Sequence, residues 1–197
     1  MDERHLLYRV EDGIGTVTIN REAQRNAITP EAIRLFHASL DEAERDERVR
    51  VLTVTGAGDK AFCTGAQLSG ATTTEGRDLF ADYAALLDKL VRFPKPTVAR
   101  VKGFCLAGGM GFMLACDIVI ASDDARFGTP EVNVGLWPMM IGALIFRNVL
   151  QKKAMEMILL GERMTAAQAM VMGLVTRVVP AERLDEEVDR VLKALAS

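Results

Sequence analysis

The chain has 197 residues, 49% of them hydrophobic and 26% charged. That balance suits one globular domain with a sizeable core and excludes an intrinsically disordered chain, a collagen-like fibre and a coiled-coil rod. Its 24 basic and 27 acidic side chains leave a net charge of −3, without the broad positive field of a nucleic-acid binder. The N-terminal MDERHLLYRVEDG is charged and has no apolar signal-peptide core. Leu6 to Asn20 reads as a β-hairpin, LLYRV and GTVTI joined through Glu11-Asp12-Gly13. Thr29-Pro30 opens a helix, with Ile33, Phe36, Leu40 and Ala43 at helical spacing as its apolar stripe. Val49 to Thr55 is a β-branched run that suits a buried strand.

Further along, Ser69 to Gly76 is small and polar and is expected to be a loop. A helix is expected from about Arg77 to Arg92, its Leu79, Tyr83, Leu86 and Leu90 facing inward, until Phe93-Pro94-Lys95-Pro96 stops it. Strand Thr97–Val101, a glycine-rich turn, a short helix to Ala115 and strand Ile118–Ala121 follow. The turn Gly128-Thr129-Pro130-Glu131 leads to a helix near Ile141–Leu150 and another at Lys152 to Leu160. Thr165-Ala166-Ala167-Gln168 is a capping box for a helix that Gly173 ends. Strand Leu174–Val179 and helix Glu182–Ala196 close the chain. Strands alternating with helices, and no linker, give an α/β reading of one domain over residues 1–197.

The chemistry narrows by elimination. There is no G-x-S-x-G elbow and no Walker A, and Gly109-Met110-Gly111-Phe112-Met113-Leu114 breaks the dinucleotide fingerprint. His5 and His37 lie far from any serine or cysteine turn. Cys63, Cys105 and Cys116 lack CxxC spacing and basic neighbours, so they read as core residues of a protein in a reducing compartment, with no disulfide scaffold and no metal site. The longest apolar region, Phe104 to Ala115, is broken by glycines and too short to cross a bilayer. We expect a soluble, cytoplasmic protein with neither a membrane nor a nucleic acid as partner.

Two glycine-bearing turns remain, Ala61 to Leu68 and Gly103 to Gly111. Small residues there let the backbone approach a ligand, and N–H groups in such turns can converge on a developing oxyanion. Taken singly, each turn is also explained by tight backbone packing. Pro130-Glu131 adds a carboxylate among apolar neighbours, where burial raises the pKa toward values useful for proton transfer.

Taken in order, these segments resemble the crotonase superfamily, the enoyl-CoA hydratases and isomerases. The resemblance runs from near Tyr8 to the last helix. It is carried by the first strand pair, Arg25-Asn26-Ala27-Ile28, Lys60 to Ala66, Lys95-Pro96, Gly103 to Asp117, Ala125 to Glu131, Gly135, Thr165 to Ala169 and Gly173-Leu174-Val175. It implies a crotonase-like spiral of ββα units, with the family's C-terminal helical region largely absent from this chain.

It also implies an acyl-CoA thioester as substrate, held without a metal or further cofactor. The thioester carbonyl would lie between the backbone N–H groups of Ala66 and Gly108, with Glu131 as acid/base. Gln67, Leu68 and Ser69 would continue the CoA wall begun at Ala66, and Arg25, with Ala27 beside it, would face the CoA phosphates. A homotrimer or dimer of trimers is implied where the family's C-terminal helices are present. One departure stands out: hydratases of the family use two glutamates, and the position of the first falls on Gly111, which has no side chain. The resemblance therefore implies a lyase, the hydratase, and leaves three alternatives. These are a Δ3-Δ2 enoyl-CoA isomerase; hydration or thioester hydrolysis with Glu131 alone activating water, or with Glu75, Asp78 or Asp82 as a stand-in carboxylate; and an acyl-CoA-binding protein without turnover.

Overall fold

The computed structural model describes residues 4–66 and 79–197. Strands β1 (Leu6–Glu11) and β2 (Ile14–Ile19) pair in antiparallel register from Leu6 opposite Ile19 to Glu11 opposite Ile14. Asp12 and Gly13 connect them with φ values of 49° and 80°, left-handed geometry that aspartate tolerates and glycine adopts freely. Helix α1 (Pro30–Arg45) starts where Thr29 Oγ1 accepts the Ala32 N–H at 3.1 Å, and its stripe from Ile33 to Ala43 is buried as expected.

The chain then repeats a unit of two strands and a helix. Strands β3 (Val51–Gly56) and β4 (Ala61–Cys63) precede α2 (Leu79–Val91), and β5 (Thr97–Val101) and β6 (Phe104–Leu106) precede α3 (Gly108–Leu114). Strands β7 (Ile118–Ser122) and β8 (Arg126–Gly128) precede a 3-10 turn, Pro130–Val134, and α4 (Met139–Asn148). The first strand of each unit joins a six-stranded sheet ordered β1-β2-β3-β5-β7-β10, and the second joins a four-stranded sheet ordered β4-β6-β8-β9. The spiral of ββα units is this alternation between two sheets. Helix α5 (Gln151–Leu160), strand β9 (Met164–Thr165), helix α6 (Ala166–Val171), strand β10 (Arg177–Val179) and helix α7 (Leu184–Ala196) complete it.

Strands β3, β5 and β7 are covered on both faces, which is why they read as nearly unbroken apolar runs. Leu52, Val54, Ala99 and Val101 face the main core with α1, α2 and α3. Val51, Val98 and Ile120 point the other way, onto Leu184, Val188, Val191 and Leu192 of α7. All three cysteines are buried and unpaired. No described helix is long and apolar enough to cross a membrane.

The structure departs from the expected elements in two places. The small sheet is unanticipated, because strands of two or three residues carry no periodicity to read. Strand β10 begins at Arg177 rather than Leu174, since Leu174 and Val175 are drawn into the core behind α6, with the Leu174 N–H on the Ala169 carbonyl at 2.9 Å. The capping box is present, Thr165 Oγ1 accepting from Gln168 N–H at 3.3 Å and Gln168 Oε1 from Thr165 N–H at 2.8 Å. Gly173, at φ 83°, follows α6 as expected.

Candidate active site

The small sheet builds the site. Strands β4, β6 and β8 are parallel neighbours, so the segments that leave their C-terminal ends emerge side by side. Those segments are Thr64-Gly65-Ala66, Ala107-Gly108 and Thr129-Pro130-Glu131. Motifs separated by more than 60 residues of chain are thereby brought into one place. Ligand sites form at the C-terminal ends of parallel strands for this reason.

The first two turns are locked together. Gly65 has φ 90°, and a Cβ there would fall 2.7 Å from Ala107 Cβ and 3.1 Å from Gly108 N, so only glycine fits. Its carbonyl accepts the Ile28 N–H at 2.8 Å, which ties the turn to the segment before α1. On the other side, a Cβ at Gly109 would meet the Cys63 carbonyl oxygen at 2.1 Å, so α3 begins directly against the end of β4. Ala107 has φ 49° and ψ −130°, a conformation that costs a non-glycine residue about 1–3 kcal/mol. Its N–H donates to the Gly128 carbonyl at 2.9 Å. The N–H groups of Ala66 and Gly108 have no acceptor among the described residues.

Ala66, Gly108 and Glu131 line one cavity of about 340 Å³. The rest of its wall is mainly apolar, including Phe80, Val134, Trp137, Met139 and Ile141. Glu131 is its one carboxylate among the described residues. Pro130–Val134 forms a 3-10 turn closed by Gly135 at φ 73°, and the Glu131 carbonyl accepts the Leu136 N–H at 3.0 Å. The side chain is half-buried, and its Oε2 is buried without a hydrogen-bond partner among the described residues. Burial therefore pushes the Glu131 carboxyl above its ordinary value of 4.5. A larger cleft of about 670 Å³ lies between the six-stranded sheet and α7, where Arg9, Arg100 and Lys193 alternate with Glu11, Asp185 and Asp189. It contains none of the three converging turns.

Gly111 is not the vacancy that its lack of a side chain suggests. A Cβ there would lie 2.1 Å from the Tyr83 hydroxyl oxygen and 2.7 Å from Ile141 Cγ2. The same hydroxyl donates a hydrogen bond to the Gly108 carbonyl. Tyr83 comes from α2 and is buried, its ring edge-on to Phe112 at 5.4 Å. The sequence reading assigns Tyr83 to the core stripe of α2, and nothing in the spacing points to its contact with residues 108 and 111.

Arg25 and Ala27 do not line this cavity. Arg25 is exposed, and its guanidinium carbon sits 5.8 Å from the Phe104 ring centroid. Arg163, which the sequence reading missed, stacks over the same ring at 5.2 Å. Asn26 is fully buried and structural: its Nδ2 donates to the Ala57 and Ala61 carbonyls at 3.0 and 2.7 Å. Asp82 is described but lies outside the cavity wall. Gln67, Leu68, Ser69, Glu75, Asp78 and the expected loop from Ser69 to Gly76 lie outside the described residues.

Residues 9–197 match the family model for enoyl-CoA hydratase/isomerase, and the chain belongs to that family within the crotonase superfamily. A probable enoyl-CoA hydratase of Mycobacterium bovis is 36% identical over 181 residues, covering 91% of this chain and 70% of that protein. The enoyl-CoA hydratase domain-containing protein 3, mitochondrial, of Rattus norvegicus is 33% identical over 193 residues, 96% of this chain and 64% of its own length. Among solved structures, an enoyl-CoA hydratase of Mycobacterium smegmatis superposes with a TM-score of 0.92 at 34% identity, covering 98% of this chain and 77% of that one. The human domain-containing protein 3 gives a TM-score of 0.92 at 29% identity, with 98% and 78% covered. Each of these proteins is longer than the chain.

Proposed function

We propose that the protein acts on acyl-CoA thioesters and shifts a double bond along the acyl chain. The carrying observation is the convergence, on one apolar cavity, of two backbone N–H groups without an acceptor and one carboxylate whose Oε2 has no partner, among the described residues. The thioester carbonyl oxygen would accept from the Ala66 and Gly108 N–H groups, which polarises the carbonyl and stabilises an enolate beside it. Glu131 as carboxylate removes a proton from the carbon next to the carbonyl, and the C–H electron pair enters the enolate. The resulting carboxylic acid returns that proton two carbons further on, as the enolate electrons move back along the chain. The product is the conjugated thioester. Atoms and charge balance with one acid/base, no water and no cofactor.

Two-carboxylate hydration is disfavoured because the Tyr83 hydroxyl and Ile141 occupy the space beside Gly111. Hydration of a 2-enoyl thioester with Glu131 alone activating water is the second reading, favoured by the hydratase names of the relatives. Arg25, joined by Arg163 over Phe104, would face the CoA phosphates. We place the protein in a reducing compartment, the cytoplasm, in keeping with its buried, unpaired cysteines. Assembly as a homotrimer or dimer of trimers is proposed where the family's C-terminal helices are present, and exposed Leu150, Leu160 and Val171 are the apolar side chains such contacts could cover.

The reading is tested by supplying crotonyl-CoA and a 3-enoyl-CoA separately and following the absorbance of the conjugated thioester. The shift predicts a gain from the 3-enoyl substrate and no change with crotonyl-CoA. Loss of absorbance from crotonyl-CoA alone without release of free CoA thiol would establish hydration instead, and loss with release of that thiol would establish hydrolysis. Binding of both thioesters without any change would make the protein an acyl-CoA binder.

A further inference from the structure

Every candidate for the oxyanion donors belongs to the backbone, so their direction depends on whatever holds the turns in place. The peptide that carries the Gly108 N–H is flanked by two anchors. Before it, the Ala107 N–H is fixed on the Gly128 carbonyl at 2.9 Å. After it, the Gly108 carbonyl receives the Tyr83 hydroxyl. Between the anchors lies Ala107, at φ 49° and ψ −130°, a conformation that persists only where its surroundings over-determine it.

We propose that Tyr83 is a positioning residue, whose hydroxyl holds the turn at Ala107-Gly108 so that the Gly108 N–H points into the Glu131 cavity. The arrangement also accounts for Gly111. The hydroxyl reaches the Gly108 carbonyl across the space where a side chain at position 111 would begin, 2.1 Å from its Cβ. Position 111 is then bare because the phenol passes over it. The phenol is suited to this: its ring lies edge-on to Phe112, it is buried, and burial raises its pKa well above the ordinary 10.0, which favours the protonated, donating form. Tyr83 is absent from the cavity wall and acts through the turn, without touching substrate.

The consequence for turnover rests on the acyl-CoA reading above, whereas the consequence for the turn does not. Tyr83→Phe removes the donor, and replacement of Tyr83 by 4-methylphenylalanine also keeps the volume over Gly111. Replacement by 4-aminophenylalanine restores an N–H donor at the same place. In the unliganded protein, exchange of the Ala107 amide, which is held on the Gly128 carbonyl within the same turn, should quicken in the phenylalanine and methyl variants and return toward the wild-type rate in the amino variant. With the thioester substrate, kcat should fall by about 10- to 100-fold in the two non-donors, with KM within a few-fold, and recover with the amino group. Unchanged Ala107 exchange in both non-donors, or full kcat in the methyl variant, would overturn the role of Tyr83. An Ala107 amide that responds as described, in a protein that turns over no acyl-CoA, would leave the positioning intact and remove the proposed function instead.

Discussion

Glu131 is the one carboxylate facing the cavity among the described residues, and its Oε2 is buried without a partner. Because burial raises its folded-state pKa above 4.5, it holds a proton in the folded protein at pH values where the unfolded chain has released it. The stability gained is therefore complete below about pH 4.5 and is lost as pH rises through the folded pKa. Glu131→Gln, neutral at every pH, should be more stable than wild type at pH 7 and lack this part of the pH dependence, as thermal midpoints across pH would show. An equal loss of stability with rising pH in both proteins would contradict it. Gly111 invites the opposite change. Gly111→Glu would drive a side chain into the Tyr83 hydroxyl and Ile141, so we expect a loss of about 1–3 kcal/mol and no gain in crotonyl-CoA hydration. A stable Gly111→Glu protein with new hydratase activity would show that the phenol yields easily.

Among the elements, the turn from β6 into α3 is where strain and function meet. Ala107→Gly should relieve about 1–3 kcal/mol of backbone strain and return about 0.4–1 kcal/mol through a freer unfolded chain. The expected net gain of about 1 kcal/mol corresponds to a thermal midpoint higher by about 2–4 °C. A lower midpoint would mean that the Ala107 methyl packs more favourably than its backbone is strained. Much of the helical layer was legible beforehand: the stripe of α1, its Thr29 cap, the proline stop after α2 and the capping box of α6 are local patterns. The strands β4, β6, β8 and β9 were not, because their pairing is decided by partners far along the chain. Ala66, Gly108 and Glu131 could be named from glycine turns and family resemblance, but their meeting depends on that unread sheet. Tyr83 was legible only as a core residue, since its contact with Gly108 spans 25 positions.

At the scale of the whole molecule, two sheets enclose one principal core, and α7 seals a second apolar layer on the outer face of the large sheet. The cysteines report on the integrity of that core. Burial pushes the Cys63 thiol up to about 12 and raises Cys105 and Cys116 as well, so the reactive thiolate is scarce at neutral pH. A thiol reagent should modify none of the three in the native protein at pH 8 and all of them in denaturant; rapid native labelling would show that the core opens readily. The central claim is that this scaffold holds one carboxylate opposite two backbone donors and moves a proton with it. It is tested most directly by comparing wild type with Glu131→Gln on a 3-enoyl-CoA, measuring the rise of conjugated thioester absorbance and the affinity for the thioester side by side. The account predicts a rate lower by about 10²–10⁴-fold with affinity within a few-fold, since the proton carrier is removed while the backbone grip remains. A Glu131→Gln protein that shifts the double bond at the wild-type rate would contradict it.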